Sequence, residues 1–403
     1  MVGGPGALIA RVRLVAEVQM EPSYELRDRL NRCAELNARM VVDDDPEIAR
    51  AIITLADEGL SMIVATAHTR AFKILKAHRA NALASLAQST RAEARFWLLA
   101  AMVDCDTALD VADEDSDDVD GVLHKLKGTA LLHMAEWAGE DQAQCYSDAL
   151  VEFQLAIWGL DPEDATDEWS HAQHNLAEIC YQLILLDAHD SQRLAKRGLE
   201  AISEAIRGWQ AIDHGLEVAR AEAVRGNLFN WLADARDGER ADCLKSAADA
   251  YLTSMELAGE AGDYDLCGLT AALYGEVCWK LSRLHAANRV RPLKAAYYGL
   301  HEALRCVPLD DRVMSWSAIH FLLSQVAVEL APLLPKSAAE LRLEAVRSGW
   351  GAWSALAYEG YEETPQADAA RTGLIGLRTT LGADFETAWD QAEIGEPPAW
   401  LAG

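Results

Sequence analysis

With 36 basic against 64 acidic side chains in 403 residues, the chain carries a net charge of −28, a balance that disfavours nucleic acid and anionic membranes as ligands. Apolar residues make up 51% and prolines number 11, a composition that suits helices around a large core and disfavours sheet. No run of 18 apolar residues occurs, so no membrane-spanning helix is expected. Arg11, Arg13 and Glu17 interrupt the early apolar stretch, which is wrong for a secretion signal. The eight cysteines are dispersed and form no Cys-x-x-Cys pair, so they read as reduced thiols of a cytoplasmic protein.

In chain order, a glycine-rich start leads into two or three predicted helices, and residues 1–78 are expected to form an N-terminal helical cap or dimerisation element. Asp43-Asp44-Asp45-Pro46-Glu47 admits two readings. It is superficially similar to the aspartate-rich box with which helical terpene synthases hold magnesium and diphosphate. From the residues alone, Asp45 before Pro46 is a helix N-cap with proline in the first turn, and this reading is favoured. No second metal box follows it. Further on, Arg70, Lys73, Lys76 and Arg79 recur every three residues, with His68 and His78 beside them. This basic stripe is either a solvated helix face or a contact for an acidic partner, an RNA segment or a second copy. Residues 79–119 read as a degenerate repeat followed by an acidic loop from Asp113 to Asp118.

From residue 120 to 357 a period of 49 residues is legible. Met134, Leu183, Leu232, Leu281 and Leu330 form one column, and Gly128, Ala177, Gly226, Gly275 and Ser324 form a column of small residues before it. Leu131, Cys180, Phe229, Cys278 and Ala327 lie between them on the same helix face. A second helix in each unit carries Ala149, Gly198, Ala247, Ala296 and Ala345. Four residues later come Phe153, Ile202, Tyr251, Leu300 and Gly349, the last breaking the bulky column. A fixed period of this size marks stacked helix pairs, each burying its face against its neighbours. Turn signals place first helices near 122–137, 167–186, 217–235, 264–285 and 312–331, and partner helices near 142–159, 191–211, 240–258, 292–306 and 337–357. In residues 79–112 the period lands on Asp104, which fails the bulky column. Beyond the fifth unit, Gly373 continues the small column and predicts a capping helix at about 366–382, after which 396–403 is a tail.

The small–bulky–small spacing of the second helix, with a small residue three before an apolar one in the first, resembles the tetratricopeptide signature. The units are longer than that family's 34 residues. Long units of this kind are similar to the arrays found beside CHAT-type caspase-like proteases and in bacterial conflict systems. The resemblance implies an all-α, right-handed superhelical solenoid of antiparallel helix pairs. Its first helices would line a concave face that binds a peptide or protein, so that the chain would be a non-catalytic scaffold or regulatory subunit. The family's ligand positions fall on Lys125, Leu132 and His133 in the first unit, and on His174, Glu178, Tyr181 and Gln182 in the second. They continue with Asn227, Asn230 and Trp231, with Glu276, Trp279 and Lys280, and with Gln325 and Glu329. Amide side chains there suit an extended backbone and aromatics suit apolar anchors, although the rings serve equally well as packing between units.

Other chemistry is thin. His171 and His174, three residues apart, lack a third ligand and read as surface histidines, so no metal is assigned. No phosphate loop, G-x-S-x-G or Cys/His catalytic pairing is present, so no catalytic residue or cofactor is assigned. Two alternatives remain at this level: a sensor of signalling peptides similar to the tetratricopeptide regulators of quorum sensing, and a magnesium-dependent all-α enzyme using Asp43 to Asp45.

Overall fold

The computed structural model describes residues 23–402, apart from 44, 64, 66–67, 91, 113–116, 137–140, 188–189, 236, 285–287 and 308–311. The glycine-rich start, Asp44, most of the acidic loop (Asp113 to Ser116) and the Pro308-to-Asp311 turn therefore lie outside the described residues. The described residues form helices and their connections, with no strand among them. Two compact units are present, Met1–Val224 and Arg225–Gly403.

The first unit contains α1 (Tyr24–Asp43), α2 (Pro46–Ser61), α3 (Thr69–Ser89), α4 (Ala94–Leu109), α5 (Asp117–Ala135), α6 (Gln142–Gly159), α7 (Thr166–Leu185), α8 (Ser191–Ala211) and the start of α9 (Gly215–Ala235). The second holds the rest of α9, then α10 (Arg240–Ala261), α11 (Tyr264–Leu284), α12 (Val290–Cys306), α13 (Val313–Leu330), α14 (Ala338–Tyr358), α15 (Pro365–Leu381), α16 (Ala383–Ala392) and α17 (Ala399–Ala402). The ten predicted repeat helices match α5 to α14 to within a few residues at their ends. Local signals set the boundaries. The Asp45 carboxylate accepts the Glu47 backbone N–H at 2.9 Å, with Pro46 opening α2, and Thr364 caps α15 in the same way ahead of Pro365. Gly262, at φ +76°, ends α10 in the left-handed conformation that favours glycine.

Within each unit the helices pack as consecutive pairs: α3 on α4, α5 on α6 and α7 on α8, then α11 on α12 and α13 on α14. First helices also touch the next first helix, α3 against α5, α5 against α7 and α11 against α13. This is the all-α repeat architecture expected from the period. The pairs run antiparallel, because Gly268 meets Val307 while Gly275 meets Leu300.

The small-residue column has a specific partner. A Cβ placed on Gly128 would lie 3.0 Å from the Phe153 ring, on Gly226 2.5 Å from Tyr251, and on Gly275 2.7 Å from Leu300. Each partner follows 25 residues later, at the bulky position of the second helix. In the α7–α8 pair the same register holds Ala177 and Ile202, both fully buried. In α13–α14 the register holds Ser324 and Gly349, and Leu374 from α15 approaches the gap, 3.5 Å from a Cβ on Gly349. The broken column is thus compensated by the capping helix. Gly373 itself faces Phe321 of α13 and not a partner 25 residues on.

The degenerate repeat is in register too. The 78/79 division drawn from the period falls inside α3, which begins at Thr69. Within α3–α4 the register places Arg79 opposite Asp104, and these two form an ion pair at 3.1 Å. Lys76 joins Asp104 at 2.6 Å, with Asp104 only 4% exposed. The residue that fails the bulky column is therefore the anion of a charged replacement for the glycine–apolar contact.

Two further expectations need correction. The expected tail, 396–403, is packed, with Trp400 of α17 edge-on against Trp353 of α14, and before it the unpredicted α16 sets Trp389 edge-on against Trp350 of α14. The Trp389 indole N–H donates to the Gly395 carbonyl at 2.7 Å. Aromatic area of this kind closes the exposed end of a repeat stack. In addition, Val313–Leu333 is long and apolar enough, at mean hydropathy 1.3, to cross a membrane by composition alone. In its unit α13 packs against α12, α14 and α15, and 39% of that window is buried.

Candidate functional site

The basic stripe on α3 is neutralised from within the chain, which corrects its reading as a free contact for an acidic partner. Arg70 forms a bidentate pair with Asp118, at 2.8 and 3.0 Å. Lys73, 1% exposed, reaches Asp120 at 2.7 Å. Arg79 pairs with Asp57 as well as Asp104, each at 3.1 Å. The cause is packing: the neighbouring α2, α4 and the acidic start of α5 place carboxylates against each cation. Asp43 and Asp45 are exposed and Asp45 serves as the α2 cap, so the motif that prompted a magnesium site is occupied with helix geometry.

A second polar layer lies on the following first helices of the same unit. The period aligns Lys76, Lys125 and His174 in one column, His171 with Arg220 in another, and Glu168 with Glu217 in a third. Trp209 of α8, fully buried, anchors the layer. Its indole N–H donates to Asp167 at 3.0 Å, and the same carboxylate lies 3.2 Å from His214 and 3.7 Å from His171. His171 meets the indole edge-on at 4.9 Å and His174 lies 5.6 Å from it. Burial drives the His171 pKa down to about 3, against the pull of Asp167 and with the help of Lys125, so the ring is neutral at pH 7. Glu217 forms an ion pair with Arg220 at 2.7 Å, yet burial still raises its pKa. The two histidines predicted to lie on the surface are thus part of a half-buried network.

Lys125 is 1% exposed, and among the described residues its ammonium has no hydrogen-bond partner. Burial lowers its pKa, while Glu168 and Asp167 oppose the shift. This corrects its assignment as an open groove contact: the side chain is buried, near Asp167 and Glu168 of α7. His174 Nε2 also lacks a hydrogen-bond partner among the described residues, its Nδ1 lying 3.3 Å from Asn175. Of the other predicted contacts in this unit, His133 lies 3.4 Å from Gln88, Gln182 donates to Glu178 at 3.4 Å, and Tyr181 is half-buried.

In the second unit the predicted contacts join one another. Lys280 reaches Glu276 at 2.9 Å, Asn230 at 3.2 Å and Asp234 at 3.8 Å. Trp279 donates to Glu329 at 3.1 Å while Arg283 lies over its ring at 3.8 Å. Arg283 and Arg289 both pair with Glu329. Asn227 accepts from Tyr251 at 2.7 Å, which ties it to the packing register, and Trp231 and Gln325 are half-buried. These side chains form a ladder between neighbouring first helices, so most of their polar atoms are already engaged.

Sequence reasoning missed Asp167, Trp209, His214, Glu217 and Arg220. Only the 49-residue pairing of His171 with Arg220 and of Glu168 with Glu217 could have drawn attention to them.

No protein-family model and no curated protein matches the chain. One similar solved structure is described as a circular tandem repeat protein with novel repeat topology and enhanced subunit contact surfaces. It is 14% identical, with 91% of this chain and 92% of that chain covered, at a TM-score of 0.34, a likeness that bears on neither fold nor function.

Proposed function

We propose that this chain is a non-catalytic binding scaffold whose first helices receive an extended peptide or a protein segment. The contact in the first unit runs over α7 and its neighbours α5 and α9. One observation carries this reading: α7 and α9 repeat ionisable residues at one register, Glu168 with Glu217 and His171 with Arg220, His171 and His174 lie against the buried Trp209, and among the described residues His174 Nε2 has no hydrogen-bond partner. A polar layer of this kind is costly unless its hydrogen bonds are completed, and a peptide backbone offers both donors and acceptors. The polar groups of α11 and α13 already pair with one another, so that ladder serves as framework. On the resemblance to long-unit tetratricopeptide arrays, the partner is an effector such as a protease or a defence component, met in the cytoplasm.

The test is a displayed-peptide selection against the full chain. Peptides enriched over an unrelated helical control are expected, and His174→Ala should weaken their binding by about tenfold or more, roughly 1.4 kcal/mol. Asp242→Ala, at an exposed position on α10, should leave binding unchanged. An empty selection, or peptides that bind His174→Ala as well as the native chain, would remove this reading.

A further inference from the structure

Cys267 stands in the first turn of α11, and Cys306 in the last turn of α12. Nothing in the repeat period requires a thiol at either position. Their sulfurs lie 3.8 Å apart, and a Glu302 carboxylate oxygen lies within 4.8 Å of both. Glu302 and Cys306 are four residues apart on one helix, so they share a face. The approach is enabled by Gly268: a Cβ there would come within 2.9 Å of the Cys306 Cβ and of Val307. The two helix ends are thereby held closer than a side chain at 268 would permit.

Zinc binds thiolates at about 2.3 Å in tetrahedral geometry, which sets sulfur–sulfur separations of about 3.8 Å. The observed spacing is that of two ligands on one tetrahedral ion. The carboxylate supplies a third ligand of the type such sites accept. Glu302 is 30% exposed, so solvent reaches the fourth vertex. The present partner of the carboxylate, Arg305 at 2.7 Å, is itself 74% exposed and free to swing into water.

We propose that Cys267, Glu302 and Cys306 bind one thiophilic divalent cation of the zinc class, which staples the start of α11 to the end of α12. On binding, each thiol gives up its proton, so two protons are released per ion. No electron is transferred. Because binding releases protons, affinity should climb with pH.

The test uses the full chain, reduced and stripped of metal, titrated anaerobically with cobalt(II) and then zinc. One equivalent of cobalt should produce a sulfur-to-cobalt charge-transfer band in the near ultraviolet, and zinc should abolish it. Carboxylates alone on this acidic surface give no such band. Cys306→Ser should abolish the band, and Glu302→Gln, a half-exposed change that spares the fold, should weaken cobalt binding by about tenfold or more. Cys180→Ser, removing a buried thiol elsewhere, should leave it intact. Absence of the band in reduced native protein would overturn the proposal. So would a band of equal strength in the Cys306→Ser variant, or unchanged affinity in Glu302→Gln.

Discussion

Asp104→Ala is expected to destabilise the α3–α4 pair by about 3 kcal/mol, the low end for breaking a buried ion pair, since Arg79 is partly exposed. Asp104 is the shared anion of Lys76 and Arg79, and its removal leaves two cations facing each other beside a desolvated gap. Arg79 keeps Asp57, which limits the damage on its side. Among the described residues Lys76 keeps a ring contact, with its ammonium 5.9 Å from the Phe72 centroid. Hydrogen exchange resolved by segment is the appropriate measurement, because a repeat array loses protection locally. Protection should fall in α3 and α4 and hold in α11 to α14. Unchanged exchange in α3 and α4 would show that the ion pair does not stand in for the glycine–apolar contact.

Lys125→Met is expected to act in the opposite direction. A buried ammonium without a hydrogen-bond partner costs about 1–3 kcal/mol, and methionine fills a similar volume without that penalty. The variant should unfold at a higher temperature than the native chain at pH 7. The pH dependence follows from the lowered pKa. In the folded chain Lys125 releases its proton more readily than in the unfolded chain, so native stability from this residue rises as pH climbs toward the ordinary lysine value of 10.5. The advantage of methionine should therefore be largest at neutral pH and shrink on the alkaline side. Thermal unfolding of both proteins from pH 6 to about pH 10 measures it. A lower melting temperature for Lys125→Met at pH 7 would mean that Glu168 and Asp167 stabilise the ammonium more than burial penalises it.

These two residues also show what the sequence could and could not disclose. Periodicity depends on which face of a helix is apolar, and it located α5 to α15 because Gly128, Gly226, Gly275 and their partners repeat the same steric need. Asp104 defeated the pattern because the register was kept by charge and not by size; only the position of Arg79, 25 residues earlier, reveals the exchange. Gly349 did so because Leu374, from another helix, fills its place. The candidate site was less legible. Family positions named Lys125 by its register, but burial depends on how α7 crosses α5, which no single helix encodes. The stripe on α3 looked free because its carboxylate partners come from other helices, across separations of 22 to 48 residues. Similarly, Cys267 and Cys306 belong to no repeated column, and they meet only because Gly268 lets the helix ends close.

The register itself is best tested at Gly226. In an ordinary helix interior, exchanging glycine for alanine stabilises by about 0.5–1 kcal/mol. Here the new methyl would lie 2.5 Å from the Tyr251 ring, so Gly226→Ala should instead destabilise by about 1–2 kcal/mol as overpacking outweighs propensity. Combining it with Tyr251→Ile recreates the Ala177–Ile202 pair of the preceding repeat, and in that background the glycine-to-alanine step should turn neutral or favourable. Chemical denaturation of the four proteins of this cycle gives the coupling, expected at about 1 kcal/mol or more. Gly226→Ala that stabilises the native chain, with additive effects across the cycle, would contradict a fold built on this 25-residue register.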